Sequence, residues 1–394
     1  MRSTGSYVTT TTLGEPVRCF VPRALPPARP VLAPESYREG VRSAELALAR
    51  LSAMSGLVPS VAWLQYSAIR KEALLTSQIE GTQATLVDLF DDEAGLAVGN
   101  ADDVEEVTNY LRAFQLVREH LRNPRGLPIS VRLLCEAHRL LLQGARGAHK
   151  QPGELRRSQN WVGGARPGKA VFVPPPPGQV PALLGDLEQF IHQPKPSLPP
   201  LVRIALVHVQ FETIHPFLDG NGRIGRLLIA ALMESWGLLP EPLMYLSGYL
   251  KQHQAAYYRH LSAVRTHGDW ESWIAFFLRG VEEAAADAER GIVAVASLVA
   301  ADRRRLLAAP KAGAVSLRLF ELMPLMPRFT IEQVRQKLDT TFPTATAAVK
   351  LMEALGVVAE LTGQKKNRCF SYAAYVDLLA NGPQSAPTGE AGTP

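Results

Sequence analysis

The chain has 394 residues, enough for two or three packed units of about 150 residues each. With 46% hydrophobic and 20% charged residues it has the composition of a globular protein, and no apolar run approaches the roughly 20 residues of a membrane span. The net charge of +5 permits an acidic partner without indicating one. Because no apolar signal segment opens the chain, and its three cysteines form no Cys-x-x-Cys pair, we expect a cytoplasmic protein with no membrane partner.

The first 100 residues are predicted to form an N-terminal arm and a helical unit. Prolines between positions 16 and 34 favour an extended, peripheral arm over residues 1–35. Leu, Ala and Ile then recur at helical spacing over residues 39–53 and 61–77, which predicts two helices. Gly81 follows as the expected end of the second helix.

Residues 101–300 are predicted to form a helical core with one β-hairpin. Helical periodicity covers residues 102–121, 130–142, 180–192, 200–214, 223–236 and 270–298. Between them, residues 160–173 contain two short β-type runs around a Gly- and Pro-rich turn, which is typical of a hairpin.

Residues 310–380 are predicted to form a separate small domain. Three helices, over 316–323, 330–338 and 344–355, precede two strands around Gly363, and this order is that of a winged helix-turn-helix. The candidate recognition helix has Lys350 as its one cation, so dimerisation or target docking fits this domain at least as well as DNA binding. Residues 381–394 are rich in Pro, Gly, Ser and Thr and are predicted to be a disordered tail.

A phosphate site is predicted in the run His-Pro-Phe-Leu-Asp-Gly-Asn-Gly-Arg-Ile-Gly-Arg, which extends from His215 to Arg226. The glycines at 220 and 222 can take positive φ angles and turn successive backbone N–H groups into one anion-binding concavity. A helix expected from Arg223 would aim its positive end at the same place, with Arg223 and Arg226 on one face. Two guanidiniums beside such a nest suit a polyphosphate.

Two side chains of this run suggest the chemistry. Asp219 would repel a bare anion but suits a divalent metal that bridges it to phosphates, so we expect Mg²⁺ or Mn²⁺. His215 has a reference pKa of about 6.5 and is the natural group to accept a proton from an attacking hydroxyl.

The same run matches the pattern H-P-F-x-[DE]-G-N-G-R-x-x-R, and the chain therefore resembles the Fic family (filamentation induced by cAMP). The resemblance implies a mainly α fold with a Fic helical-bundle core. It also implies a protein adenylyltransferase that moves AMP from ATP to a Ser, Thr or Tyr hydroxyl and releases pyrophosphate. In that scheme His215 is the base, Asp219 holds the metal, and Arg226 contacts the γ-phosphate. The residues implied in ATP binding are Gly220, Asn221, Gly222, Arg223, Ile224, Gly225, Arg226, Val162, Gly163 and Tyr257, with Asn221 and the glycines as the anion hole.

The resemblance also gives the hairpin and Tyr257 a role. Fic proteins carry a β flap that registers the target by strand pairing, which makes Val162, Gly163 and Phe172 the flap candidates here. Tyr257 lies where the family often places a residue against the base.

A second pattern of the family, [ST]-x-x-x-E-[GN], matches residues 76–81, with Thr76, Glu80 and Gly81 at its defined positions. Thr76 and Glu80 lie one helical turn apart on one face, so this helix can aim Glu80 at Arg226. The pattern predicts an inhibitory contact in which Glu80 competes with ATP for Arg226. In related Fic proteins the same glutamate also supports removal of AMP, so reversal of the modification stays open.

Several alternatives remain at this stage. His208, Glu212 and His215 share a helix face, as in Glu-x-x-His metal sites, but without a second copy they are better read as packing or supporting residues. The chain can also be a winged-helix regulator with a nucleotide-sensing core, or a Fic variant that transfers another phosphate-containing group. The expected partners are a protein substrate of unknown identity, including a copy of itself, and a second protomer in a homodimer.

Overall fold

The computed structural model describes residues 3–27, 30–144 and 147–382. Helices dominate it, as predicted. No helix in these ranges is both long enough and apolar enough to cross a membrane. The tail predicted from residue 381 lies outside the described residues beyond Gly382.

The N-terminal arm contains a β-hairpin that the proline pattern did not predict. Strands β1 (Gly5–Thr12) and β2 (Glu15–Pro22) pair antiparallel from Gly5 opposite Pro22 to Thr12 opposite Glu15. Leu13 and Gly14 form the turn with φ angles of 50° and 81°, the two positive values that a tight hairpin turn requires. A run of four threonines supplies the β-branched residues of β1.

The N-terminal helices agree with the periodicity except for one addition. Helices α1 (Arg38–Ala53) and α2 (Val61–Ile79) are followed by α3 (Leu86–Glu93), α4 (Ala101–Arg122) and α5 (Val131–Leu141). The short α3 was not predicted, although Thr85 and Asp88 form a capping box at its start.

The core is built around one buried helix. The elements after α5 are α6 (Val180–Ile191), α7 (Pro200–Ile214), α8 (Asn221–Ser235), α9 (Leu246–Gln252), α10 (Gln254–His267) and α11 (Trp270–Leu307). Every residue of α7 from Leu201 to Ile214 is buried, including the polar Arg203, His208, Gln210 and Glu212. Helices α6, α8, α10 and α11 all contact α7, so the residues at its end are held rigidly.

The segment over residues 160–173 is less regular than a two-stranded hairpin. Val162 and Phe172 pair at a single antiparallel bridge. In the segment between these two residues, Gly163 and Gly164 have positive φ angles. We call residues 160–173 the flap.

The C-terminal unit has the predicted order of helices and strands, with two additional elements. It consists of α12 (Ala314–Leu322), β3 (Arg328–Thr330), α13 (Ile331–Lys337), α14 (Phe342–Ala354), β4 (Ala359–Glu360), β5 (Cys369–Ser371) and α15 (Ala373–Asn381). Its antiparallel sheet has the order β3-β5-β4. The winged-helix assignment and the domain boundaries stay predictions.

The C-terminal unit packs on α2 and α11. Trp63 Nε1 of α2 donates to the backbone carbonyl of Glu321 at 3.1 Å, and the Tyr372 hydroxyl donates to Asp302 of α11 at 2.6 Å. Both aromatic side chains are buried.

Candidate active site

The loop between α7 and α8 is fixed by its own backbone and by Asn221. Helix α7 ends where His215 takes a left-handed conformation (φ 51°), and Pro216 follows. The Asn221 side chain then accepts from Phe217 N and donates to Phe217 O, both at 2.9 Å. The Asn221 side chain thus stabilises the loop through both its carbonyl oxygen and its NH₂ group, and its predicted anion-hole contact stays a prediction.

Fewer residues of the loop have positive φ angles than the sequence predicted. Gly220 alone has positive φ (73°), whereas Gly222 lies inside α8, which starts at Asn221 rather than at Arg223. The Asp219 carboxylate accepts from Gly220 N at 2.6 Å. The backbone N–H groups of Asn221, Gly222 and Arg223 stand in the first turn of α8, where a helix offers them no internal acceptor. These three donors, with the helix dipole, form the anion site.

The buried side chains of Arg156 and His138, which the sequence did not single out, stabilise this loop. Arg156 donates to His215 O at 2.8 Å and to Pro175 O at 2.5 Å, while its backbone N donates to Pro216 O at 2.9 Å. His138 stacks on Phe217 with ring centroids 3.8 Å apart. His138 Nδ1 accepts from Gly153 N at 2.9 Å, so Nε2 carries the proton and donates to Asp219 O at 3.0 Å.

His215 is a neutral imidazole with one nitrogen free for chemistry. Burial, then the nearby Arg156 guanidinium, lowers the His215 pKa to about 4. Its Nδ1 lies 3.4 Å from the carbonyl of Glu212, which can only accept, so the proton belongs on Nδ1. Nε2 is then left with a lone pair, as a general base requires.

Arg226 is held by α2 through three contacts. Its Nε donates to Thr76 Oγ1 at 2.6 Å, and its Nη2 donates to Thr76 O at 3.1 Å and to Glu80 at 2.5 Å. Although burial alone disfavours the charge, the Glu80 carboxylate raises the Arg226 pKa, so the guanidinium stays ionised. Gly81 follows with φ 106°, a conformation that turns the chain away after Glu80.

The Glu80 carboxylate reaches the first turn of α8. A side chain at Gly222 would collide with Glu80 and with the Arg226 guanidinium. Glu80 thus occupies space directly beside the backbone amides that form the anion site. The sequence correctly anticipated that Glu80 and Arg226 meet.

Arg223 and Asp219 line the other side of the nest. Arg223 is buried and lies 3.3 Å from Glu106 and 3.9 Å from Asp219. Asp219 is half exposed, with 47% of its side chain accessible. A single accessible carboxylate beside an anion site fits Mg²⁺, which binds one or two carboxylates and takes its other ligands from phosphates and water. Among the described residues, no cluster of three or more His, Cys, Asp or Glu forms a self-sufficient metal site.

Tyr257 does not contact the base. Its buried hydroxyl donates to His208 Nε2 at 2.8 Å, and His208 Nδ1 donates to Gly225 O at 3.1 Å. Burial lowers the His208 pKa to about 3, which excludes a charged histidine, and raises the Glu212 pKa to about 7. Tyr257 and His208 therefore stabilise α8 through the backbone carbonyl of Gly225. The prediction that Tyr257 lies against His215 is corrected: its hydroxyl bonds His208 instead.

The flap lies beside the loop and is joined to it at its base. Asn160 Nδ2 donates to Phe217 O at 2.9 Å. On its inner side, the Arg265 guanidinium of α10 lies 3.9 Å from the centre of the Phe172 ring. Val162 pairs with Phe172, and Gly163 begins the turn; contact of either residue with ATP stays a prediction.

Sequence reasoning missed Arg156, His138 and Arg265 for a common reason. Each acts through contacts with residues more than 50 positions away, and none stands in a recognisable local pattern. The physical signal that identifies Arg156 is the cost of burying an unpaired charge. That cost becomes apparent only once the fold shows that the residue is buried.

The start of α8, a neutral histidine and two arginines lie together between two core helices, an arrangement suited to a phosphate-containing ligand. The sequence matches the Fic/DOC family over residues 128–233 and the N-terminal Fic/DOC domain over residues 39–119. Over these two segments the chain is similar to the Fic/DOC family.

Relatives and solved structures agree with this assignment. The chain is 32% identical over 179 residues to a protein adenylyltransferase Fic of Aedes aegypti, covering 44% of this chain and 32% of the relative. It is 34% identical over 154 residues to the protein of that name from Drosophila grimshawi, covering 38% of this chain and 28% of the relative. The chain therefore spans about a third of the length of these relatives.

Two solved structures share the fold. A Fic family protein from Desulfovibrio desulfuricans G20 matches with a TM-score of 0.57 at 20% identity, over 91% of this chain and 99% of that one. Fic-1 from C. elegans matches with a TM-score of 0.51 at 21% identity, over 66% and 73%. The expected mainly α fold with a Fic core is confirmed.

Proposed function

We propose that this protein is a protein adenylyltransferase whose activity is restrained by Glu80. The observation that carries the proposal is the conjunction, at the start of α8, of three free backbone donors, a neutral His215 and an arginine bound to a carboxylate of α2. The relatives named adenylyltransferase support AMP as the transferred group.

The chemistry divides between the loop and the nucleotide. His215 Nε2 accepts the proton of a Ser, Thr or Tyr hydroxyl, and the oxygen attacks the α-phosphorus of ATP. The bond from the α-phosphorus to the bridging oxygen breaks, and pyrophosphate leaves with the bonding pair. The α8 amides and Arg223 stabilise the charge on the phosphate oxygens. Mg²⁺, with Asp219 as its protein ligand, would neutralise phosphate charge.

Glu80 restrains this reaction by occupying Arg226. A carboxylate bound to a guanidinium in a largely buried setting forms a charge-assisted contact, so the γ-phosphate of ATP must displace it to reach Arg226. ATP bound without Arg226 would lack the orientation that in-line attack requires. Removal of AMP by the same site remains part of the proposal.

The test uses the full chain with ATP labelled at the α- or the γ-phosphate. We expect α-label on protein, in an amount that rises at least about tenfold in Glu80→Gly and disappears in the Glu80→Gly/His215→Ala double variant. Glu39→Gly, which changes an exposed glutamate far from the loop, is the matched control and should behave as wild type. Label from the γ-phosphate alone would indicate kinase chemistry. Absence of both labels from wild type and from Glu80→Gly would favour a nucleotide sensor.

A further inference from the structure

The flap is weakly paired by itself. Its two halves are paired only around Val162, which bonds Phe172 at N···O distances of 2.8 and 3.1 Å and also accepts from Val171 N at 3.0 Å. An isolated two-stranded hairpin is marginally stable even when its strands are long. Val171 is 82% exposed, so the tip of the flap gains little from burial. Something outside the flap must keep it in one conformation.

The N-terminal hairpin supplies that support along the second half of the flap. Phe20 N of β2 donates to Val173 O at 2.9 Å, which attaches the flap to the edge of a fully paired hairpin. Val17 and Cys19 pack with Val173 in a small buried cluster, separate from the main core. The end of the flap is thereby attached to the hairpin β1–β2 by one backbone hydrogen bond and by apolar packing.

The turn of the flap is held by one carboxylate of the hairpin. Glu15, the first residue of β2, accepts from Gly168 N at 2.9 Å and lies 3.2 Å from the Arg166 guanidinium. A carboxylate bonded to a backbone amide and an arginine together is a charge-assisted, two-point contact. It ties the tip of the flap, a single 3-10 turn over Pro167–Lys169, to the hairpin.

The hairpin is also tied to the wall of the active site. Thr4 Oγ1, just before β1, donates to Arg265 O at 3.0 Å, and the Arg265 side chain covers Phe172 of the flap. Gln210 of the core helix α7 donates to Arg23 O, just after β2, at 2.9 Å. The two ends of the hairpin are thus anchored to the core helices α10 and α7, of which α7 leads into the catalytic loop.

We propose that the hairpin β1–β2 is a positioning element for the flap, and that Glu15 is the residue that sets the position of the flap turn for the acceptor protein. Glu15 contacts Arg166 and Gly168 in the turn, and not Val162 and Gly163, the flap residues predicted to contact ATP; we therefore expect it to act on the acceptor. The acceptor part of this inference rests on the proposed adenylyltransferase function.

The first test needs no activity. Hydrogen exchange of the full-length Glu15→Ala variant should be faster at the amides of residues 162–173 than in wild type, by about tenfold, because the turn loses its two-point contact. The amides of residues 224–234 in α8 should be unchanged, and Glu39→Ala should match wild type throughout. Equal exchange of the flap in Glu15→Ala and wild type would overturn the proposal.

The second test measures transfer in the Glu80→Gly background, with the full-length His215→Ala protein as the acceptor. Adding Glu15→Ala should raise the acceptor KM about tenfold at unchanged kcat and unchanged KM for ATP. A loss confined to kcat or to the KM for ATP would contradict acceptor positioning. Absence of transfer in Glu80→Gly itself would instead count against the proposed function, while the exchange measurement would still decide the role of the hairpin.

Discussion

In the proposed reaction His215 is suited to act as the base because its surroundings keep it neutral. Burial and the Arg156 guanidinium lower its pKa to about 4, whereas a histidine in water has a pKa of about 6.5. The active form is the unprotonated one, so activity is lost only when the pH falls through the lowered value. We expect kcat of Glu80→Gly to stay flat between about pH 5.5 and 8 and to decline toward pH 4. An acidic limb centred near pH 6.5 would contradict the buried, neutral imidazole.

At this scale the sequence predicted residues that form a contiguous pattern. His215, Asp219 and Arg226 stand in one run, and Thr76 and Glu80 in another, so spacing alone located them. The use of each side chain was less predictable. The Asn221 side chain bonds Phe217, and Tyr257 bonds His208, because both depend on where distant backbone groups lie.

Helix α2 restrains Arg226 with Thr76 as well as with Glu80. Thr76 is fully buried and accepts from the guanidinium through both its hydroxyl and its carbonyl. Thr76→Val removes the hydroxyl acceptor and keeps the shape, so Arg226 should be released in part. We expect α-label incorporation to increase in the order wild type, Thr76→Val, Glu80→Gly.

The control for that series is Thr266→Val, which changes a threonine exposed on α10 and should leave incorporation unchanged. Incorporation by Thr76→Val at or below the wild-type level would mean that Glu80 alone restrains the arginine.

Helices with a clear repeat of apolar residues, such as α7, were predicted close to their observed limits. Elements that depend on contacts with another segment of the chain were not. Helix α7 has the predicted limits of 200 and 214, because an apolar run between Pro200 and Pro216 has clear ends. The hairpin β1–β2 was missed because its buried residues, Val17 and Cys19, face the flap rather than the main core. The flap was predicted with two full strands, whereas its halves meet at one bridge and its end is bonded to β2 through Val173.

The buried histidines make the whole molecule sensitive to acid. The pKa of His138 is lowered to about 4 and that of His208 to about 3, so between about pH 6.5 and 4 the unfolded chain binds protons that the folded chain excludes. Each therefore reduces the free energy of unfolding by about 1.4 kcal/mol per pH unit as the pH falls through that range. Glu212 acts in the opposite direction: its raised pKa of about 7 gives stability that is present at low pH and lost as the pH rises toward 7.

His215 is a third histidine of lowered pKa, and the raised pKa of the buried Glu72 acts in the same direction as that of Glu212. With three histidines opposed by two carboxyl groups, we expect the free energy of unfolding to decrease by about 1 kcal/mol per unit between pH 6 and 5. Urea unfolding at several pH values measures this slope. His208→Gln should reduce the slope, whereas the control His267→Gln, at an exposed position, should not. A stability that is constant or higher at pH 5 would contradict the neutral state of these buried groups.

Helix α2 joins two distant parts of the molecule. Trp63, near its start, bonds the C-terminal unit, and Glu80, at its end, bonds Arg226; 17 residues of helix correspond to about 26 Å. Glu80 can leave Arg226 in two ways: by fraying of the helix after Ile79, or by displacement of the helix as a rigid rod. Fraying leaves the Trp63 indole bonded to the carbonyl of Glu321, whereas a moving rod breaks that bond. The environment of Trp63 thus distinguishes fraying of α2 from displacement of the whole helix during activation.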